Sequence, residues 1–151
     1  MANIFSGHSY QLVTTGASYA TAKSAAVDAG GYLVIINSQA ENDFVYGLLS
    51  NAGITTAAAD GGGAQYVWIG ASDATTEGTW QWVDGSSVGP YTNWGSGSLG
   101  SEPDDYQGQD YAAIGLSSWP SGMVGYGEAS QWNDVDGSNM LAYVIDRKSV
   151  V

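Results

Sequence analysis

Apolar side chains recur at helical spacing in the first third of the chain and fall into short runs or alternation from residue 65 onward, so a helical part precedes a strand-rich part. Residues 10–13 read as a short strand, and Thr14, Thr15 and Gly16 break it. Ser18 is placed to cap a first helix over the Ala-rich run 19–29, which Gly30 and Gly31 stop. The continuous apolar run 32–36 is of strand length, and directly behind it Ser38-Gln39-Ala40-Glu41 is a capping box that starts a second helix, ending near Ser50. Asn51 to Gly63 reads as a loop, and its Asp60-Gly61-Gly62-Gly63 end has little of its own to order it. Strands are predicted over 66–69, 79–83 with the turn Asp84-Gly85, 111–116, 130–133 and 141–145, with long loops before 111 and over 117–129. The expected fold class is α+β, in a single domain over residues 1–151 without internal repeats.

Composition narrows the function classes. The chain carries 15 acidic and 3 basic residues, a net charge of -12, which argues against nucleic acid and anionic membranes and in favour of cations. Twenty-two Gly, six Trp and ten Tyr suit sheets and turns rather than a helical bundle. With no Cys and one His there is no disulfide, no thiolate metal site and no catalytic thiol, and zinc is disfavoured. His8 lacks a catalytic partner and reads as a satisfied or solvated histidine. No run approaches the roughly 18 apolar residues of a membrane span, and the start offers no secretory signal. The ending at Val151 and the small acidic character suggest a module of a larger exported protein.

The acids are not spread evenly. Ten of the fifteen lie between Asp73 and Asp136, a stretch without Lys or Arg, chiefly as Asp73 with Glu77, Glu102-Pro103-Asp104-Asp105 with Gln109-Asp110, and Asn133-Asp134. Calcium takes about six to eight oxygens from carboxylates and carbonyls, so acids and amides converging from separate loops are what such a site requires.

Five motifs in order give this pattern a family likeness. Val67-Trp68-Ile69-Gly70, Gly78-Thr79-Trp80-Gln81-Trp82-Val83-Asp84-Gly85, Tyr91-Thr92-Asn93-Trp94, Glu102-Pro103-Asp104 and Trp132-Asn133-Asp134 together resemble the C-type lectin-like domain over nearly the whole chain. The resemblance implies two helices flanking short antiparallel sheets with a long calcium-binding loop region. It is similar to cysteine-free modules of bacterial adhesins. The family's two disulfides would fall at Ala26 with Ile145 and at Tyr111 with Gly137, where an apolar contact and a large-to-small pair stand instead.

The resemblance further implies a principal calcium site of Glu102, Asp104, Gln109, Asn133 and Asp134 that also binds sugar, two hydroxyls completing the ion's shell. A cis bond before Pro103 would turn its neighbours toward one ion. A second, structural calcium would take Asp73, Glu77, Asp105 and Asp110 with the Gln109 main-chain carbonyl. Glu102-Pro103-Asp104 is a hybrid of the family's mannose-type and galactose-type triplets, and Gln109 stands where Glu is usual, so the amide donor is expected at Gln109. Tyr106 is a candidate to stack on a sugar and Trp119 to form a pocket wall; the alternative for Tyr106 is a surface or core tyrosine, and for Trp119 core packing. Trp68, Trp80, Trp82 and Trp94 read as framework.

The expected function is therefore a calcium-dependent carbohydrate-binding module serving adhesion, extracellular or at the cell surface, and not an enzyme. A protein-binding or ice-binding module on the same framework is the alternative.

Overall fold

The computed structural model describes residues 3–148; Met1, Ala2 and residues 149–151, which the single-domain expectation includes, lie outside the described residues. Strands β1 (Asn3–Phe5) and β2 (His8–Ala17) lead into helix α1 (Tyr19–Asp28), strand β3 (Tyr32–Leu33) and helix α2 (Gln39–Leu49). Strands β4 (Tyr66–Ser72), β5 (Gln81–Trp82), β6 (Tyr111–Gly115), β7 (Trp132–Val135) and β8 (Leu141–Lys148) follow. The main path through the sheet is β1-β2-β8-β4-β6-β7, with β3 paired to β8 and β5 to β4. The α+β class is as the sequence implies, but β1 adds a strand that the sequence does not predict, and the expected antiparallel sheets are one mixed sheet, because β4 runs parallel to β8 with Val67 opposite Ala142 and Trp68 opposite Tyr143.

Both helices start where local chemistry directs. The Ser18 hydroxyl accepts from the Thr21 N–H, and the Ser38 hydroxyl accepts from the Glu41 N–H at 3.1 Å. Glu41 returns a carboxylate oxygen to the N–H of Asn37, one residue ahead of the cap, at 2.8 Å. Central strand β4 alternates its side chains between two cores. Val67, Ile69 and Ala71 face a core with Val45 and Leu49 of α2 and with Trp82 and Trp132. Tyr66 and Trp68 face a core with Ala22 and Ala26 of α1 and with Trp119 and Ile145. Burial on both faces fixes the register, because a one-residue slip would exchange the two cores.

Most element boundaries shift from the sequence-based expectation, β3 for example ending at Leu33 and not at residue 36, and three of the shifts have a cause in backbone pairing or turns. β2 is longer than residues 10–13 because it pairs antiparallel along β8. β5 is shorter than 79–83, since the Thr79 N–H is spent on a turn to the Thr76 carbonyl. β7 begins at Trp132 rather than residue 130, because Ser130 has a φ of 76° and Gln131 closes a turn onto the Glu128 carbonyl. That later start places Trp132, Asn133 and Asp134 on the ladder opposite Ile114, Ala113 and Ala112.

The positions of the family's disulfides are filled by packing. Ala26 and Ile145 share one core. The Tyr111 ring occupies the space at Gly137, where an added Cβ would come within 2.7 Å of it.

Candidate metal centre

Two groups of three carboxylates form among the described residues, and both come from the expected ligand set. In each, one oxygen per residue lies within 4.8 Å of the others: Glu102, Asp104 and Asp134 in the first, and Asp73, Glu77 and Asp110 in the second.

The first group is assembled by distant elements. Asp134 projects from β7 and is fully buried, and its two carboxylate oxygens accept the N–H groups of Asp104 at 3.2 Å and Asp105 at 2.8 Å. One side chain thereby fastens the long loop to the sheet. The Glu102–Pro103 peptide bond is cis. Glu102 is buried, and its Oε1 accepts from Trp119 Nε1 at 3.1 Å. Burial pushes its carboxyl up to about 9; the Trp119 N–H opposes this, and contact with Asp134 and the charge of Asp104 add to it. Burial likewise raises Asp134, against the pull of the Asp105 and Asp104 amides. Carboxyls so placed are poorly stabilised as anions until a positive charge joins them.

Gln109 and Asn133 complete the set. They line, with Glu102, Asp104 and Tyr106, a cavity of about 200 Å³. The Asn133 Nδ2 donates to the Tyr66 hydroxyl at 3.0 Å, which donates on to the Gly61 carbonyl at 2.6 Å.

The second group is nearer the surface. Asp73 is buried and its Oδ2 accepts from the Gly78 N–H at 2.9 Å, while Glu77 is exposed. The Asp73 N–H donates to the Asp110 carbonyl at 3.1 Å, tying β4 to the end of the long loop. Contact with Asp73 above all raises Glu77, to about 7, with the charges of Asp105 and Asp110 adding to it. Asp110 is raised by burial and then by Asp73. Asp105 falls outside this group of three and reaches it through its charge.

A hard cation fits these residues. Asp73 Oδ1, Glu102 Oε2, Gln109 Oε1 and Asn133 Oδ1 are buried side-chain oxygens without a protein partner. Leaving such an atom unsatisfied costs about 1–3 kcal/mol. Four of them lie within the expected ligand residues, where an oxygen-seeking cation could satisfy them.

Three expectations change. Trp119 lines the cavity, yet it is only 2 % exposed, packs edge-on against Tyr66 and spends its N–H on Glu102. Its indole N–H supports Glu102, and its packing matches the core alternative. The Gln109 amide was expected to supply a donor to the site, but its Nε2 donates to the carboxylate and carbonyl of Asp60 at 2.9 and 3.1 Å. The run Asp60 to Gly63, expected to have little to order it, is held by those bonds, by the Asp136 N–H at 2.8 Å and by Asn139 at 2.7 Å. Sequence reasoning missed Asp60. An acid opening a glycine run was the available signal, but its partners lie far along the chain. Tyr106 is 56 % exposed and lines the cavity, so its ring is accessible. His8 is satisfied by Asp146 at 2.8 Å.

Known proteins resemble the chain in both sequence and fold. It is 31% identical over 148 residues to the alpha-N-acetylgalactosamine-specific lectin of Patiria pectinifera, an alignment that covers 95% of this chain and 76% of that one. It is 30% identical over 155 residues to halomucin of Haloquadratum walsbyi, covering 91% of this chain but 1% of halomucin, so it spans a very small part of that relative. In fold it is similar to the mouse scavenger receptor C-type lectin carbohydrate-recognition domain, with a TM-score of 0.74 at 24% identity, covering 98% of this chain and 94% of that one. It is also similar in fold to a calcium-independent type II antifreeze protein, with a TM-score of 0.70 at 19% identity, covering 97% and 91%. No helix among the described residues is long and apolar enough to cross a membrane. The domain is of a binding type and not an enzyme. Residues 15–144 match the Lectin C-type domain, and the chain belongs to that family.

Proposed function

We propose that this domain is a calcium-dependent carbohydrate-binding module that serves adhesion from a secreted or cell-surface protein. One observation carries the reading: the four buried, unpartnered oxygens of Asp73, Glu102, Gln109 and Asn133, all belonging to ligand residues that the family resemblance implies. Glu102, Asp104, Gln109, Asn133 and Asp134 would hold the principal ion. Asp73, Glu77 and Asp110, with Asp105 nearby, would hold a second that secures the loop. Bound calcium supplies positive charge and open coordination positions that two neighbouring sugar hydroxyls can fill.

The chain's own residues do the rest. The carboxylates of Glu102 and Asp104 accept hydrogen bonds from those hydroxyls, Trp119 holds Glu102 in place and Asp134 anchors the loop that carries both. Tyr106 offers an exposed ring at the cavity for the apolar face of a sugar. The Patiria relative is specific for alpha-N-acetylgalactosamine by name, so galactose-type sugars are the first to test. A shallow single site suits repeated presentation in a larger protein, where avidity supplies strength.

An ice-binding or protein-binding role on the same framework is the competing reading, favoured by the calcium-independent antifreeze neighbour. Binding to a glycan array with and without chelator separates the two. Sugar binding lost on chelation is the expected result; no sugar bound, or binding indifferent to chelator, overturns the proposal.

A further inference from the structure

Asp60 lies outside every motif that carries the family likeness, yet it collects hydrogen bonds from three directions. Its Oδ2 accepts from Gln109 Nε2 at 2.9 Å and from the Asp136 N–H at 2.8 Å, and its Oδ1 accepts from Asn139 Nδ2 at 2.7 Å. Its main-chain carbonyl accepts from the same Gln109 nitrogen at 3.1 Å. A primary amide has two N–H donors and one carbonyl. Both donors of Gln109 thus have acceptors on one residue.

Asp60 presents only oxygens to that amide, so a flipped Gln109 would set oxygen against oxygen. The orientation that remains turns Oε1 away from Asp60. That atom is buried and without a protein partner, in a residue that lines the cavity with Glu102, Asp104 and Asn133. A carboxylate at position 109 would meet the Asp60 carboxylate at hydrogen-bonding distance without a proton between them. The amide at 109 and the acid at 60 are therefore a matched pair.

We propose that Asp60 is a positioning residue for the metal centre, locking Gln109 with its carbonyl oxygen toward the ion and setting the negative charge behind the ligand instead of on it. The inference rests on the calcium reading of the principal site. Such supports behind a ligand commonly influence metal affinity about 10- to 100-fold. It has a consequence for sugar. Gln109 keeps no N–H for a hydroxyl, whereas Asn133, with one bond to Tyr66, keeps one, so hydroxyl recognition is lopsided toward Asn133.

The test is a charge exchange across the pair, read by calorimetric calcium titration of wild type, Asp60→Asn, Gln109→Glu and the double variant, with a thermal melt of each. Each single variant is expected to bind calcium about tenfold more weakly, Gln109→Glu doing so although it adds an acid. The double variant, with an amide at 60 donating to a carboxylate at 109, is expected to bind calcium more tightly than Gln109→Glu but less tightly than wild type, because the Asp136 N–H then faces a donor and the residue-60 carbonyl still faces a carboxylate. A second measurement needs neither metal nor variant: in calcium-free wild type, the Gln109 side-chain N–H protons should exchange with solvent far more slowly than those of an exposed glutamine. Gln109→Glu binding calcium as tightly as wild type, a double variant no better than Gln109→Glu, or fast exchange at Gln109 would each overturn the proposal. A wild type that binds no calcium fails the calcium reading itself and takes this inference with it; slow Gln109 exchange would then mark only a structural contact.

Discussion

The two carboxylate groups differ in how far they are withdrawn from water, with two of three acids buried in the first, where Asp104 is exposed, and only Asp73 buried in the second. Glu102 and Asp134 are buried and held by donors from elsewhere in the fold, Trp119 on one side and the loop amides on the other. Glu77 is exposed, Asp110 half-buried, and the donor to Asp73 is the nearby Gly78 amide. Buried acids assembled in advance cost stability while no cation joins them, because desolvation penalises each charge. A group open to water carries less of that cost and less preorganisation. The first should therefore respond steeply to ligand loss and to protons, and the second gently.

The largest contrast is expected from Asp134→Ala. It removes a ligand and the acceptor for two loop amides together, so sugar binding and the principal ion should both be lost, with at least about 100-fold weaker calcium binding there. The second ion should remain, and calorimetry should count one calcium where wild type counts two. Secondary structure by circular dichroism should be retained, since the sheet register rests on the two cores. Retained sugar affinity would remove the principal site.

Protons provide the next contrast. With Glu102 raised to about 9, calcium must displace a proton at neutral pH, and apparent affinity at the principal site should fall about tenfold per unit below 9. Glu77 is raised to about 7, so affinity at the second site should hold until near neutrality and fall only below it. Between pH 8 and 6 the losses should be about 100-fold and about tenfold respectively. Calcium titrations across that range, in buffers of different ionisation heat, would also count the protons released. The sign for stability is opposite. A folded-state pKa above the ordinary 4.5 means that the fold holds a proton which the unfolded chain releases. The contribution of Glu102 to the metal-free fold is complete below 4.5 and disappears as pH rises through 9. Chelator-treated protein should melt higher at pH 6 than at pH 8.5. The same melting order in saturating calcium would mean that Glu102 is not a ligand.

Glu77→Gln sharpens the difference from the other side. It removes an exposed carboxylate whose nearest partner is Asp73, and it should weaken the second ion about tenfold while sugar affinity stays within about threefold. Equal loss of sugar binding would show that the two groups are not separable.

How far these residues were legible in the chain depends on how local their partners are. Val67-Trp68-Ile69-Gly70 and Trp132-Asn133-Asp134 could be read because each combines strand periodicity with side chains that a single strand delivers to the site or the cores. Ser38 and Glu41 could be read because a cap is satisfied within four residues. Asp60 could not. Its partners Gln109, Asp136 and Asn139 lie 49 to 79 residues away, and nothing in a glycine run indicates which donors will reach it. Trp119 was open between wall and core for the same reason. Its burial is decided by Gly95, Gly115 and Gly127, each of which leaves room that a Cβ would fill to within 2.6 Å of the ring. The family resemblance pointed to the candidate ligand residues, whereas the tertiary fold decided what stands behind them.

The smallest effect belongs to Tyr106, and it tests whether the cavity adds anything to the ion. The ring is exposed and its side chain has no hydrogen bond among the described residues, while its backbone N–H caps Asp104 Oδ1 at 3.1 Å. Tyr106→Ala keeps that amide and removes only the ring, so calcium affinity should be unchanged. An aromatic contact of about 0.5–1.5 kcal/mol corresponds to a loss of roughly 2- to 13-fold in affinity for a galactose-type sugar. A mannose-type sugar, lacking the same apolar face, should lose less. Equal loss for both would assign Tyr106 to shaping the loop through Asp104, and no loss for either would leave the ion and its oxygens as the whole of the recognition.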